Sequence, residues 1–258
     1  MLDAAAAKVH STGLTVSLEH ISFEDVIRDA DVSRSSAYRR WPHKDLFFSD
    51  LVKQLASEPV PTAVIHDELG KLSQVAASHL DWLQTPALRR SLLLELIREP
   101  AVLDFEALTG SPGWRTYIAL HATFMSLPDG DLREQVRAAL AHSEHDRIVR
   151  IAKAWEQLAG LLGYRLRPEA GGSFETPVIL ADATMRGLII MALPAPELAA
   201  RRAQASPFGT AENQWSLAAL GLASIAEAFL EPDPAVTWNA ERIANIRRTL
   251  ATLSPPGE

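Results

Sequence analysis

Between Ser33 and Lys44 the chain carries four cations, Arg34, Arg39, Arg40 and Lys44, with His43 beside them and no acid. Acids crowd both flanks: Glu24, Asp25, Asp29 and Asp31 before the island, Asp45 and Asp50 after it. Guanidinium groups at this density suit planar anions, whether a phosphate or the acceptor edge of a guanine. The net charge of −7 argues against a general polyanion binder, so the island implies a local anion contact.

Other clusters promise less. His142, His145 and Asp146 stand at i, i+3, i+4, which is metal-ligand spacing. Their neighbours Arg137, Glu144 and Arg147 read as a solvated helix face, and no second ligand cluster accompanies them. Glu95 and Glu99, at i and i+4, read as surface. Asp182 and Arg186 lie in the favourable i, i+4 order on an apolar helix and are expected to pair. The absence of cysteine excludes disulfides, thiolate chemistry and cysteine-ligated metals. No Gly-x-Ser-x-Gly elbow supports a nucleophilic triad. No enzyme, metal or cofactor is expected.

The elements that must position the basic island read as helical. The chain has 258 residues, 47% of them apolar, enough for one large or two small domains. No sustained period-2 alternation and no Asn-Gly or Asp-Gly turn signals a strand, so the expected class is all-α. Met1-Leu2-Asp3-Ala4 carries an acid where a secretion signal has cations, and the longest apolar run, 187–193, is too short for a membrane helix. A cytoplasmic protein with no membrane partner is expected.

Helical periodicity and breakers place helices over 3–11, 22–30, 33–40 and 44–57, then 62–84, 86–98, 112–127, 131–162, 175–193, 212–230 and 239–253. Pro59 and Pro61 mark a domain boundary, giving a head over 1–58 and a body over 59–258. Pro86, Pro100, Pro112, Pro128-Asp129-Gly130 and the 168–172 loop supply later breaks. The 194–211 segment reads as a loop, with or without one short helix.

Two short helices separated by three or four residues have the dimensions of a DNA-binding helix-turn-helix. Phe23, Val26, Ile27 and Ala30 give the first an apolar inner face. Asp31 belongs to the few non-glycine types that tolerate a positive φ at the turn. Ala37 and Trp41 anchor the second helix, leaving Arg34, Ser35, Ser36 and Arg39 to face a groove.

In this stretch, Ser22 to Phe48, the sequence resembles the TetR family of bacterial transcriptional regulators. Ser22, Val26, Ala30, Val32, Ser33, Tyr38, Trp41, Lys44 and Leu46 fall in register with the family pattern, as does Gly13-Leu14 at the end of the first helix. Asp31 departs from the usual glycine, Ile27 from an alanine, Ala37 from a leucine and Trp41 from a phenylalanine. The resemblance implies that Arg34, Ser35 and Ser36 read base edges and that Tyr38, Arg39 and Lys44 hold phosphates. Ser33 and Arg40 complete the DNA-binding set. It further implies a homodimeric repressor on a palindromic double-stranded operator, with half-sites about 34–36 Å apart, released when a small, mostly apolar effector changes the head spacing.

The body carries no family motif. The 212–230 helix is apolar on two faces, and Trp215, Leu222, Ile225 and Phe229 are its expected dimerisation residues. The 175–193 helix is two-sided in the same way. An effector pocket is expected among Trp82, Trp114, Tyr117, His121, Phe124, Met125 and Trp155. Two alternatives remain open: a TetR-like activator or protein-binding module with a weakened head, and a metal-dependent helical enzyme built on His142, His145 and Asp146.

Overall fold

The computed structural model describes residues 1–12, 21–58, 79–206, 209 and 212–253. Gly13-Leu14, the Pro59/Pro61 boundary and the 62–84 helix up to residue 78 lie outside them. The described elements are mainly helical: α1 (Leu2–Thr12), α2 (Phe23–Asp29), α3 (Arg34–Arg40), α4 (Lys44–Ser57), α5 (Pro86–Gly110), α6 (Pro112–Ser126), α7 (Asp131–Leu161), α8 (Glu175–Ala192), α9 (Glu197–Ala200), α10 (Leu217–Phe229) and α11 (Ala240–Leu253). Four short strands join them: β1 (Tyr164–Leu166), β2 (Arg202–Ala205), β3 (Asn213–Ser216) and β4 (Leu230–Pro232).

Contacts divide the chain into two units, Met1–Pro61 with Thr109–Arg147 and Thr62–Leu108 with Ile148–Glu258. The first unit thus holds the residues of the expected 1–58 head together with Thr109–Arg147. In it, Leu120 of α6 with Val136 and Leu140 of α7 join Val26, Phe47 and Leu51 in one cluster.

In the first unit, α1 packs on α4 and α6. Serine caps start the next two helices. The Ser22 side chain accepts from the Asp25 N–H at 3.3 Å, and Ser33 accepts from the Ser36 N–H at 3.2 Å. Glu24 and Asp25 sit in the first turn of α2, where the helix dipole favours acids. That helix stops at Asp31, whose φ of 51° is the left-handed conformation the turn demands. Ala37 and Trp41 are buried, and Trp41 stands edge-on to Phe47 at 5.2 Å. Its indole N–H donates to Asp50 at 2.9 Å, which locks the end of α3 onto α4.

The second unit has its own core, with Leu92, Leu93 and Leu96 of α5 against Ala159, Leu162, Tyr164, Ala226 and Leu230. A bidentate Arg90–Glu227 pair, at 2.9 and 2.8 Å, ties α5 to α10. Along α8, Val178, Ala181, Met185 and Ile189 form the buried stripe. At its contact with α10, a Cβ on Gly221 would lie 2.7 Å from Thr184 Cγ2, so only glycine fits without moving a side chain.

Several expectations need correction here. Pro100 does not end a helix; it lies inside α5, which runs on to Gly110. A proline removes one helical hydrogen bond and kinks the helix, and burial of Leu92, Leu96, Ala101 and Phe105 on both sides of it outweighs that loss. Strands exist as two antiparallel pairs, β1 with β4 and β2 with β3. At three or four residues each they are too short to display alternation. Arg165, paired with Glu231 at 2.8 Å, marks the register of the first. Residues 213–216, read as part of the 212–230 helix, form β3. The last stretch of the expected 62–84 helix is a 3-10 turn, Leu80–Gln84. The 194–211 segment contains α9 and β2.

Candidate functional site

The short α3 presents its cations to solvent because its only buried residue is Ala37. Arg34, 72% exposed, reaches back across the turn to Glu24 of α2: its Nε and Nη2 donate to Oε2 at 2.8 and 2.5 Å. The Tyr38 hydroxyl donates to the other oxygen, Oε1, at 2.7 Å. One carboxylate thus holds the two residues that start and centre the exposed face. The Tyr38 hydroxyl and then Arg34 keep the Glu24 carboxyl below its usual range, while donation to Glu24 pushes the Tyr38 hydroxyl up. The Tyr38 ring also packs edge-on against Phe23 at 5.4 Å.

Ser33, Ser35 and Ser36 form a hydroxyl chain, with Ser33 Oγ 3.2 Å from Ser35 Oγ and donating to Ser36 Oγ at 2.8 Å. Capping therefore occupies Ser33, and Ser36 is half-buried beside it. Arg39, Arg40 and Lys44 are exposed, and the Arg40 guanidinium lies 5.7 Å from the centre of the Trp41 ring. Lys44 opens α4, whose N-cap His43 makes no side-chain cap bond. Arg34, Ser35, Tyr38 and Arg39 of α3 thus combine exposure with donor groups, and Lys44 lies just beyond the helix. Sequence reasoning read Glu24 only as a first-turn acid. Its signal was a carboxylate 10 residues before an arginine and 14 before a tyrosine, across a tight turn.

The seven expected effector contacts do not converge within either unit. Trp114, Tyr117, His121, Phe124 and Met125 belong to α6 in the first unit. Trp114 and Tyr117 are buried and stacked at 5.0 Å, and the His121 Nδ1–H donates to the Tyr117 carbonyl at 3.0 Å. Phe124 lies under the Arg133 guanidinium at 4.9 Å, and Met125 is 74% exposed. Trp82 packs on His79 with ring centres 4.3 Å apart. Trp155 alone of the seven lines a cavity of about 160 Å³ in the second unit. That cavity is bounded by α5, α7 and α10, with Asp104 and Phe174 among the residues that sequence reasoning missed.

The expected dimer residues also separate. Trp215 is 2% exposed on β3, inside its own unit. Leu222 lines the cavity, and Ile225 and Phe229 are half-buried. One helix, α8, carries a run of exposed apolar side chains: Ile179, Leu180, Ile190 and Met191, with Leu193 at its end. Asp182 and Arg186 pair there at 2.7 Å as expected.

His142 Nε2 and Asp146 Oδ2 approach to 3.3 Å on an exposed face, with His145 also exposed. Among the described residues, no group of three or more His, Cys, Asp or Glu side chains is placed to hold a metal ion. No helix among them is long and apolar enough to cross a membrane. Comparison with protein-family models, with curated proteins and with solved structures found no match to this chain.

Proposed function

We propose that the chain is a one-component transcriptional regulator of the TetR-like type, a repressor that binds a palindromic operator as a homodimer and is released by a small, mostly apolar effector. One observation carries this reading. Two serine-capped helices of seven residues are joined through Asp31 at φ 51°, and the second offers Arg34, Ser35, Tyr38 and Arg39 to solvent. A helix of this size inserts its N-terminal residues into a major groove while flanking cations hold phosphates.

Arg34 then serves as the base reader and Lys44 as a phosphate contact. Arg34→Ala is expected to relax sequence preference by about 1–3 kcal/mol at one base pair. Lys44→Ala should weaken every sequence alike and lower the salt slope by about 1. Fluorescence anisotropy against a matched and a scrambled fragment, over a salt series, separates the two. Identical behaviour of the mutants overturns the division of roles.

The Glu24 contacts favour a second reading, in which the head is a weakened DNA binder that recognises a protein. An acid that occupies Arg34 and Tyr38 must be displaced before either meets DNA, and its own charge repels phosphate. Glu24→Gln is therefore expected to tighten binding to all DNA sequences severalfold, most at low salt. If Glu24→Gln leaves wild-type DNA affinity unchanged, Glu24 does not compete with DNA. If neither protein shows salt-dependent DNA binding, the second reading replaces the first.

A further inference from the structure

The cavity in the second unit owes its space to small residues on the helices that enclose it. Ala101 of α5, Ala154 and Ala159 of α7 and Ala226 of α10 all line it, where larger side chains would close it. Leu96, Leu158 and Leu222 add aliphatic surface, and Trp155 and Phe174 add aromatic surface. The volume of about 160 Å³ sets the size of any guest. A dry cavity of roughly 150 Å³ holds a benzene-sized molecule, so one ring with a short substituent fits and a three-ring molecule does not.

The lining also sets the charge of the guest. Asp104 is the one ionisable side chain among the described lining residues, and it is already engaged within the protein. A carboxylate that has its partner gives an entering ammonium little return for its lost hydration. No lysine, arginine or histidine lines the space to receive an anion. A neutral guest forfeits no ionic hydration, and its transfer from water is favoured in proportion to the apolar area it buries.

We infer that this cavity binds an uncharged, apolar molecule of about one ring, held by shape and apolar contact rather than by a counter-ion. The inference deepens the regulator reading by naming the effector's site and chemical class, and rests on that reading only for the effect on DNA. Leu222 and Ala226 place α10 in the cavity wall, so a guest contacts the helix that packs on α8. One residue before Leu222 the two helices meet at Gly221, where a Cβ would lie 2.7 Å from Thr184 Cγ2. A contact packed that closely transmits a displacement of α10 rather than absorbing it.

Calorimetric titration of the full chain with toluene, benzylamine and benzoate tests it, because the three probes share a ring and differ in charge. Toluene is expected to bind at least about tenfold more tightly than either ion, since an ion must give up its hydration to enter. Saturating toluene should also raise the melting temperature, as a ligand of the folded state does. Ala154→Leu, which fills the space, should abolish toluene binding. Failure of toluene to bind the unaltered chain, or binding of benzylamine or benzoate as tight as that of toluene, overturns the inference, and neither result depends on a variant folding. Undiminished toluene binding to a folded Ala154→Leu protein overturns it as well, because the guest then sits elsewhere. If toluene binds as predicted yet leaves DNA affinity untouched, the effector role fails while the cavity site stands.

Discussion

Replacing Phe47 with alanine is expected to remove about 3–5 kcal/mol of stability, the range for a large aromatic side chain deleted from a core. Phe47 is fully buried, and its ring meets Phe23 at 4.9 Å, Trp41 at 5.2 Å and Phe48 at 5.6 Å. It is thus the point where α2, the end of α3 and α4 converge. The surrounding rings are already engaged with Asp50 and Tyr38 and cannot easily close the gap. A domain is stabilised by only about 5–15 kcal/mol, so the loss is a large fraction of the whole. Denaturant melts should show the first unit unfolding early, with DNA binding lost in parallel. A change below about 1 kcal/mol would mean that α3 is positioned by something other than this aromatic cluster.

Ile190→Asp is expected to dissociate the dimer by about a hundredfold or more without unfolding the protomer. Ile190 is 48% exposed on α8, so an aspartate there costs the isolated chain little. In the proposed dimer the same position is covered by a second copy, and an unpaired carboxylate is buried. Leu222→Asp makes the contrast. Leu222 lines the cavity of its own unit, so a charge there should lower the melting temperature rather than change the mass. Light scattering with circular dichroism reads both. A monomeric wild-type protein, or an Ile190→Asp dimer as tight as the parent, removes α8 from the interface.

The parts of this fold visible in the sequence are those set by local chemistry. Ser22 and Ser33 cap helices through their own side chains, Asp31 takes the positive φ, and the Asp182–Arg186 pair forms on one helix turn. What escaped depends on partners distant in the chain. The Glu24 contacts form across the turn, β1 finds β4 some 66 residues away, and the cavity exists only where rows from α5, α7 and α10 meet. Pro100 misled because its local penalty is real, yet packing on both sides overrides it. Reading the helix as ended at 98 hid Asp104, which lies beyond that point on the same helix. Trp215 and Leu222 looked like an outer stripe because periodicity identifies an apolar face without saying what covers it.

Selection of bound fragments from a random double-stranded DNA pool, at about 0.1 M salt so that long-range attraction is screened, tests the central claim most directly. The regulator reading predicts enrichment of a two-fold symmetric site with half-sites centred about 10 base pairs apart, and loss of preference at one position of each half-site in Arg34→Ala. Failure of the folded, dimeric protein to enrich any sequence, or enrichment of fragments sharing neither sequence nor symmetry, would contradict it.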